Sequence, residues 1–111
     1  MKTVLNDNKV IYYPSGIIGN VDAGKFEQDL LKIIEEHGDC DLIINMEDVP
    51  SISSSVITVI ISITEKLKNQ DRLLSICNPQ DLVKKIISML HIDNYISVYQ
   101  TENQAVKSEL R

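Results

Sequence analysis

The sequence holds no tryptophan, a single phenylalanine and four tyrosines. Nothing in it resembles a row of aromatic rings on which bases could stack. Basic residues are the minority: 11 Lys and Arg stand against 16 Asp and Glu, for a net charge of −5. A protein that grips a phosphate backbone normally carries a basic patch, so a nucleic acid is not an expected partner. Cysteine is limited to Cys40 and Cys77, with no C-x-x-C. Neither His37 nor His91 lies at ligand spacing from a cysteine. No metal site or disulfide framework is expected, and the two cysteines read as small buried thiols. Long apolar runs are missing as well. The richest, Val56 to Ile63, is interrupted by Thr58 and Ser62 and falls short of the roughly 20 residues of a membrane span. Met1-Lys2-Thr3 leads into a short mixed segment, not the apolar core of a signal peptide. The expectation is a cytoplasmic protein without a membrane partner.

Catalytic signatures are also wanting. There is no G-x-x-x-x-G-K-[ST], no G-x-G-x-x-G and no G-x-S-x-G. No cofactor and no catalytic residue is expected. What is present is 111 residues with 43% apolar and 24% charged content. That suffices for one domain, residues 1–111, around one core.

Taken in order, residues 3–5 and 9–13 are short apolar runs about the turn Asn6-Asp7-Asn8, which reads as a hairpin. Pro14-Ser15-Gly16 ends or bends the second strand, and Ile17-Ile18 resumes it. A helix follows from Asp22, its N-cap, to Gly38, with Phe26, Leu30, Ile33, Ile34 and His37 on one face. Cys40 to Asn45 is apolar without alternation, as in a strand covered on both faces. Residues 54–69 are rich in β-branched side chains, which favours strand. Their length without a turn, and Val56, Ile60, Ile63 and Leu67 at helical spacing, favour helix. Arg72 to Cys77 reads as a strand. Asn78-Pro79-Gln80-Asp81 opens a helix with Asn78 as cap and Pro79 first, and Leu82, Val83, Ile86, Ile87, Met89 and Leu90 form its apolar side. Met89 is expected as core filler. Ile96 to Tyr99 is a last strand, and Thr101 to Gln104 has capping-box spacing for a helix reaching about Leu110. The order β-β-α-β-α-β-α-β-α implies an α/β domain with a mixed, partly parallel central sheet and about four helices.

One stretch has more polar groups than its position needs. Between the apolar run Leu42-Ile43-Ile44-Asn45 and the long segment from Val56 lies Asp48-Val49-Pro50-Ser51-Ile52-Ser53-Ser54-Ser55. Serines at a helix N-terminus accept from free backbone N–H groups. One serine suffices for that, and the others either solvate a loop or are offered to a partner. Glu47 and Asp48 are adjacent carboxylates at a strand end, where acid–base residues can sit. A small enzyme or ligand-binding protein built on them would need a deep pocket beside them.

The run Leu42-Ile43-Ile44-Asn45, followed by Val49-Pro50-Ser51-Ile52-Ser53-Ser54-Ser55-Val56-Ile57, resembles the core of the STAS domain. That family includes bacterial anti-sigma factor antagonists and the cytosolic domains of sulfate transporters. Gly16-Ile17-Ile18, Arg72-Leu73-Leu74-Ser75-Ile76-Cys77-Asn78-Pro79 and Leu90-His91-Ile92-Asp93-Asn94-Tyr95-Ile96 resemble further family segments, so the likeness runs over most of the chain. The antagonists typically show Asp-Ser-Ser-Gly or Asp-Ser-Ala-Gly at the helix start. Matched by position, Ser53 stands for the Asp, Ser54 for the phosphorylated Ser, Ser55 for the next residue and Val56 for the Gly.

The resemblance implies a STAS-like fold and a regulatory binding module, not an enzyme. Its partner would be an anti-sigma factor, often a serine kinase of the GHKL type. Binding would free a sigma factor, and phosphorylation of Ser54, with Ser53 and Ser55 as alternative acceptors, would end the complex. Ser53, Ser54, Ser55, Val56 and Ile57 are the expected partner-binding residues. The alternative is a non-phosphorylated STAS scaffold subunit of a regulatory complex, in which the serines only cap the helix.

Overall fold

A computed structural model describes residues 1–108. The chain alternates as its pattern predicts. Strands β1 (Thr3–Asn6) and β2 (Lys9–Tyr12) are followed by α1 (Ala23–Glu36), β3 (Asp41–Asn45), α2 (Ser54–Lys68) and β4 (Leu74–Cys77). Then come α3 (Asp81–Met89), β5 (Ser97–Tyr99) and α4 (Glu102–Lys107). Short 3-10 turns, Asn20–Asp22 and Ile92–Asn94, precede α1 and β5. The expected end of the last helix, Leu110, lies outside the described residues.

The strands lie side by side in chain order, β1 antiparallel to β2 and the other three pairs parallel. When every parallel crossover moves one strand in the same direction, right-handed connections put their helices on one face. The packing agrees. Phe26, Leu30, Ile33 and Ile34 of α1, Val56, Ile60, Ile63 and Leu67 of α2, and Val83 and Ile87 of α3 share a core with Val10, Leu42, Ile44, Leu74 and Ile76. The alternate residues Ile11, Ile43 and Cys77 face the other way and are covered by Ala105 of α4. Two-sided cover is why β3 shows no alternation: all five of its residues are buried.

The β-branched segment is a helix because packing overrides a weak propensity. α2 buries seven of its side chains, and the hydroxyl of buried Thr64 donates to the Ile60 carbonyl at 2.7 Å. Arg72, just before β4, is only 5% exposed. Its guanidinium donates to the carbonyls of Ile34 (3.1 Å), His37 (2.6 Å) and Cys40 (2.7 Å) and to Gln70 Oε1 (2.8 Å). It thereby closes the carbonyl end of α1 and ties it to the start of β3.

Two local expectations are corrected. Asn78 does not cap α3: the cap is Gln80, and Asn78 takes a left-handed conformation (φ 54°) that turns the chain off β4. Pro79 therefore lies before the cap. Met89 is not core filler. α3 has nine residues and turns only Val83 and Ile87 fully inward, leaving Leu82, Met89 and Leu90 at 51%, 67% and 51% exposure. Asp22 stands at the N-cap of α1 as expected, but its carboxylate makes no cap bond and accepts instead from the Gly19 N–H at 3.0 Å inside the 3-10 turn.

Candidate functional site

The start of α2 is held by two loops laced together at the C-terminal ends of β2 and β3. In the first, Asn45 Oδ1 accepts from the Glu47 N–H at 2.9 Å and the Val49 N–H bonds the Met46 carbonyl at 3.0 Å. Val49 and Ile52 plug inward while Pro50 stays exposed. The second loop, residues 14–19, runs beside it in parallel. Gly16 N–H donates to the Asp48 carbonyl (2.8 Å), Ile18 N–H to that of Ser51 (3.1 Å), and Ser53 N–H to that of Ile18 (3.0 Å). Gly16 has φ 83°, a conformation that only glycine adopts without strain, so the lacing depends on glycine there. Buried Ile18 anchors the loop, which leaves its neighbour Ile17 outward at 70% exposure. The 3-10 turn that follows packs on α2 and presents Val21 at 97% exposure.

This frame gives the three serines different roles. Ser53 is the N-cap, with extended backbone (φ −89°, ψ 168°), and its hydroxyl accepts from the Val56 N–H at 3.3 Å. Ser54 is the first helical residue and is exposed, with no hydrogen bond at its hydroxyl among the described residues. Ser55 is half-buried. The N–H groups of Ser54 and Ser55 open the helix, where the backbone dipole favours an anion. One turn on, the Thr58 hydroxyl donates to the Ser54 carbonyl at 3.2 Å. Val56 is fully buried and Ile57 is 6% exposed. The helical turn directs both into the core, so the expectation that they meet a partner is corrected: Ile17 and Val21 are the apolar surface here. No sequence pattern marked those two, because their exposure follows from the lacing of the loops.

Glu47 and Asp48 are exposed, and it is their backbone that takes part in the frame: the Glu47 carbonyl accepts from Gln80 Nε2 at 2.6 Å. The opposite face of the sheet holds a second polar group. Glu102 Oε1 accepts from the Tyr13 hydroxyl (2.5 Å) and from Asn45 Nδ2 (3.1 Å). Burial, then that carboxylate, hold the Tyr13 phenol well above its usual range. Burial, with Glu102 and Glu47 behind it, pushes the Cys77 thiol up to about 12. Cys40 and Cys77 are both buried free thiols, and Cys77 is held in its unreactive protonated form. Among the described residues no cluster of three or more His, Cys, Asp or Glu is placed to hold a metal ion, and no helix is long and apolar enough to cross a membrane.

Fold and site together define a class: a small mixed-sheet domain that frames one helix N-terminus with two loops. The sequence matches the STAS domain over residues 1–105, and the chain belongs to that family. No curated protein matches it. Among solved structures it is similar to a Thermotoga maritima protein described as a candidate anti-sigma factor antagonist, with 19% identity and a TM-score of 0.86 over 96% of this chain and 91% of that one. It is similar to the anti-sigma factor antagonist SpoIIAA of Bacillus, seen unphosphorylated and phosphorylated. The phosphorylated form shows 15% identity and a TM-score of 0.70 over 95% of each chain. A sulfate transporter family protein from Wolinella succinogenes is similar as well, with 14% identity and a TM-score of 0.76 over 93% of this chain and 85% of that one. At these identities the likeness establishes the fold.

Proposed function

We propose that the chain is an anti-sigma factor antagonist, a binding protein and not an enzyme. Its partner is an anti-sigma factor that is itself a serine kinase, and phosphorylation of Ser54 ends the complex. The observation that carries this reading is the division of labour among the serines. Ser53 spends its hydroxyl on the cap, whereas Ser54 is exposed with its hydroxyl uncommitted. The rim suits a protein partner, since Ile17 and Val21 stand out beside it. Val56, where antagonists carry Gly, points into the core, so the change leaves the recognised surface untouched.

A phosphate on Ser54 adds roughly −1.5 to −2 charges at pH 7. At the first helical position the free N–H groups and the dipole accept such an anion, so the fold survives. The cost falls on the interface, where a bulky dianion must be desolvated between apolar neighbours. One observation favours the second reading, a non-phosphorylated STAS scaffold: Ser53 replaces the family's Asp and leaves no carboxylate next to Ser54. Ser54→Asp separates the two. Under the switch reading it weakens binding to the purified anti-sigma partner at least tenfold with an unchanged denaturation midpoint. Unaltered affinity would support the scaffold.

A further inference from the structure

We propose that β1 is a self-association edge, on which a second copy of this chain pairs antiparallel to make one continuous sheet. β1 is an end strand, and all four of its residues are exposed. Asn6 stands opposite Lys9, Val4 opposite Ile11, and the Lys2 carbonyl accepts from the Tyr13 N–H at 3.0 Å. The ladder to β2 therefore uses Lys2, Val4 and Asn6. Antiparallel alternation turns the N–H and C=O groups of Thr3 and Leu5 outward, away from the sheet.

Native edges are normally blunted by charge, proline, a bulge or a covering element. Thr3-Val4-Leu5-Asn6 has no charge and no proline, and its register with β2 runs without a bulge. The other end strand, β5, differs: it has three residues, all half-buried. The open edge is also apolar, with Met1, Val4 and Leu5 at 61%, 42% and 58% exposure.

The occupant that fits is the strand itself. With Val4 facing Val4 across a two-fold axis, Thr3 of each copy lies opposite Leu5 of the other. These are the residues whose backbone groups point outward, so each pair exchanges both bonds. Val4 lies on the sheet face of Ile11 and Leu5 on that of Val10, so apolar contacts cover both faces of the seam. Lys2 and Asp7 flank the strand on either side. In this register Lys2 of each copy lies opposite Asn6 of the other and Asp7 falls beyond the strand in the turn, so no like charges face each other across the seam.

The test is the mass in solution, by light scattering or sedimentation over a concentration series, for the wild type, Val4→Lys, Val4→Glu and an equimolar mixture of the two variants. Position 4 is exposed, so both variants should keep the wild-type circular dichroism and denaturation midpoint. The wild type is expected at two chains, each variant at one, and the mixture at two again, because Lys then faces Glu across the axis. A wild type that stays at one chain at every concentration overturns the proposal. So does a Val4→Lys variant that still dimerises, which would place the contact elsewhere, or a mixture that stays at one chain.

Discussion

Replacing Ser53 and Ser54 separately by Ala tests the helix start that the site is built on. Ser53→Ala removes the hydroxyl that accepts from the Val56 N–H, leaving that donor to water. Loss of a serine cap costs about 1 kcal/mol. An unfolding entropy of ~2.1 cal/mol/K per residue over 111 residues gives ~0.23 kcal/mol/K, so the melting temperature should fall by ~4 °C. Ser54→Ala removes an exposed hydroxyl that has no hydrogen-bond partner among the described residues and introduces the best helix former. Its effect should stay within about 0.5 kcal/mol, or ~2 °C. Ser53→Asp should cap as well as serine and restore the family's carboxylate. Thermal and urea denaturation of the three variants under one condition give the answer. If Ser54→Ala costs more than Ser53→Ala, the cap lies one residue further on, Ser54 is committed to the fold, and the assignment of the free hydroxyl is wrong.

Arg72→Ala should be far more damaging, about 3–5 kcal/mol in a denaturation midpoint, because three backbone carbonyls lose a buried charged donor. A loss under 1 kcal/mol would mean the guanidinium does not hold α1. Alkaline pH should destabilise the protein. Cys77 is raised from 9.0 to about 12 and Tyr12 from 10.0 to about 12, in both cases mainly by burial, so folding favours their neutral forms. That stability is present in full below pH 9 and is lost as pH climbs to about 12, at up to ~1.4 kcal/mol per pH unit for each group. Urea titrations between pH 8 and 12 should show this slope, and Cys77→Ala should flatten it; an equal slope in the variant would exclude the thiol. Ile17→Lys and Val21→Lys should leave stability within about 0.5 kcal/mol, since both side chains are exposed. Each should weaken partner binding by tenfold or more, roughly 1.4 kcal/mol, by calorimetry. Wild-type affinity in both would move the interface off this rim.

The fold was legible because strand and helix periods alternate along the chain, and with right-handed crossovers such alternation permits few arrangements. Even residues 54–68, where propensity favours strand, could be read as helix from the unbroken length and the spacing of Val56, Ile60, Ile63 and Leu67. Boundaries were less legible because they turn on one residue's backbone angles. Asn78 reads as the cap in sequence, but its left-handed turn off β4 delays the helix start and puts Gln80 at the cap position. The serine cluster was visible as a helix start, but which hydroxyl is spent depends on the loop that delivers Ser53 in an extended conformation. Residues whose role is set by distant chain left no local signal. Arg72 reaches carbonyls more than 30 residues away in the chain, and Ile17 is exposed only because Ile18 is drawn into the lacing. Val56 and Ile57 looked available beside the serines, yet helical geometry turns both inward.

The central claim is that Ser54 is the modified residue. Mass spectrometry of the protein isolated from its native cells, with peptide mapping across residues 42–66, tests it directly. The account predicts a single phosphate on Ser54, with Ser53 and Ser55 unmodified. A phosphate on Ser53 instead, or none under any growth condition, would contradict it.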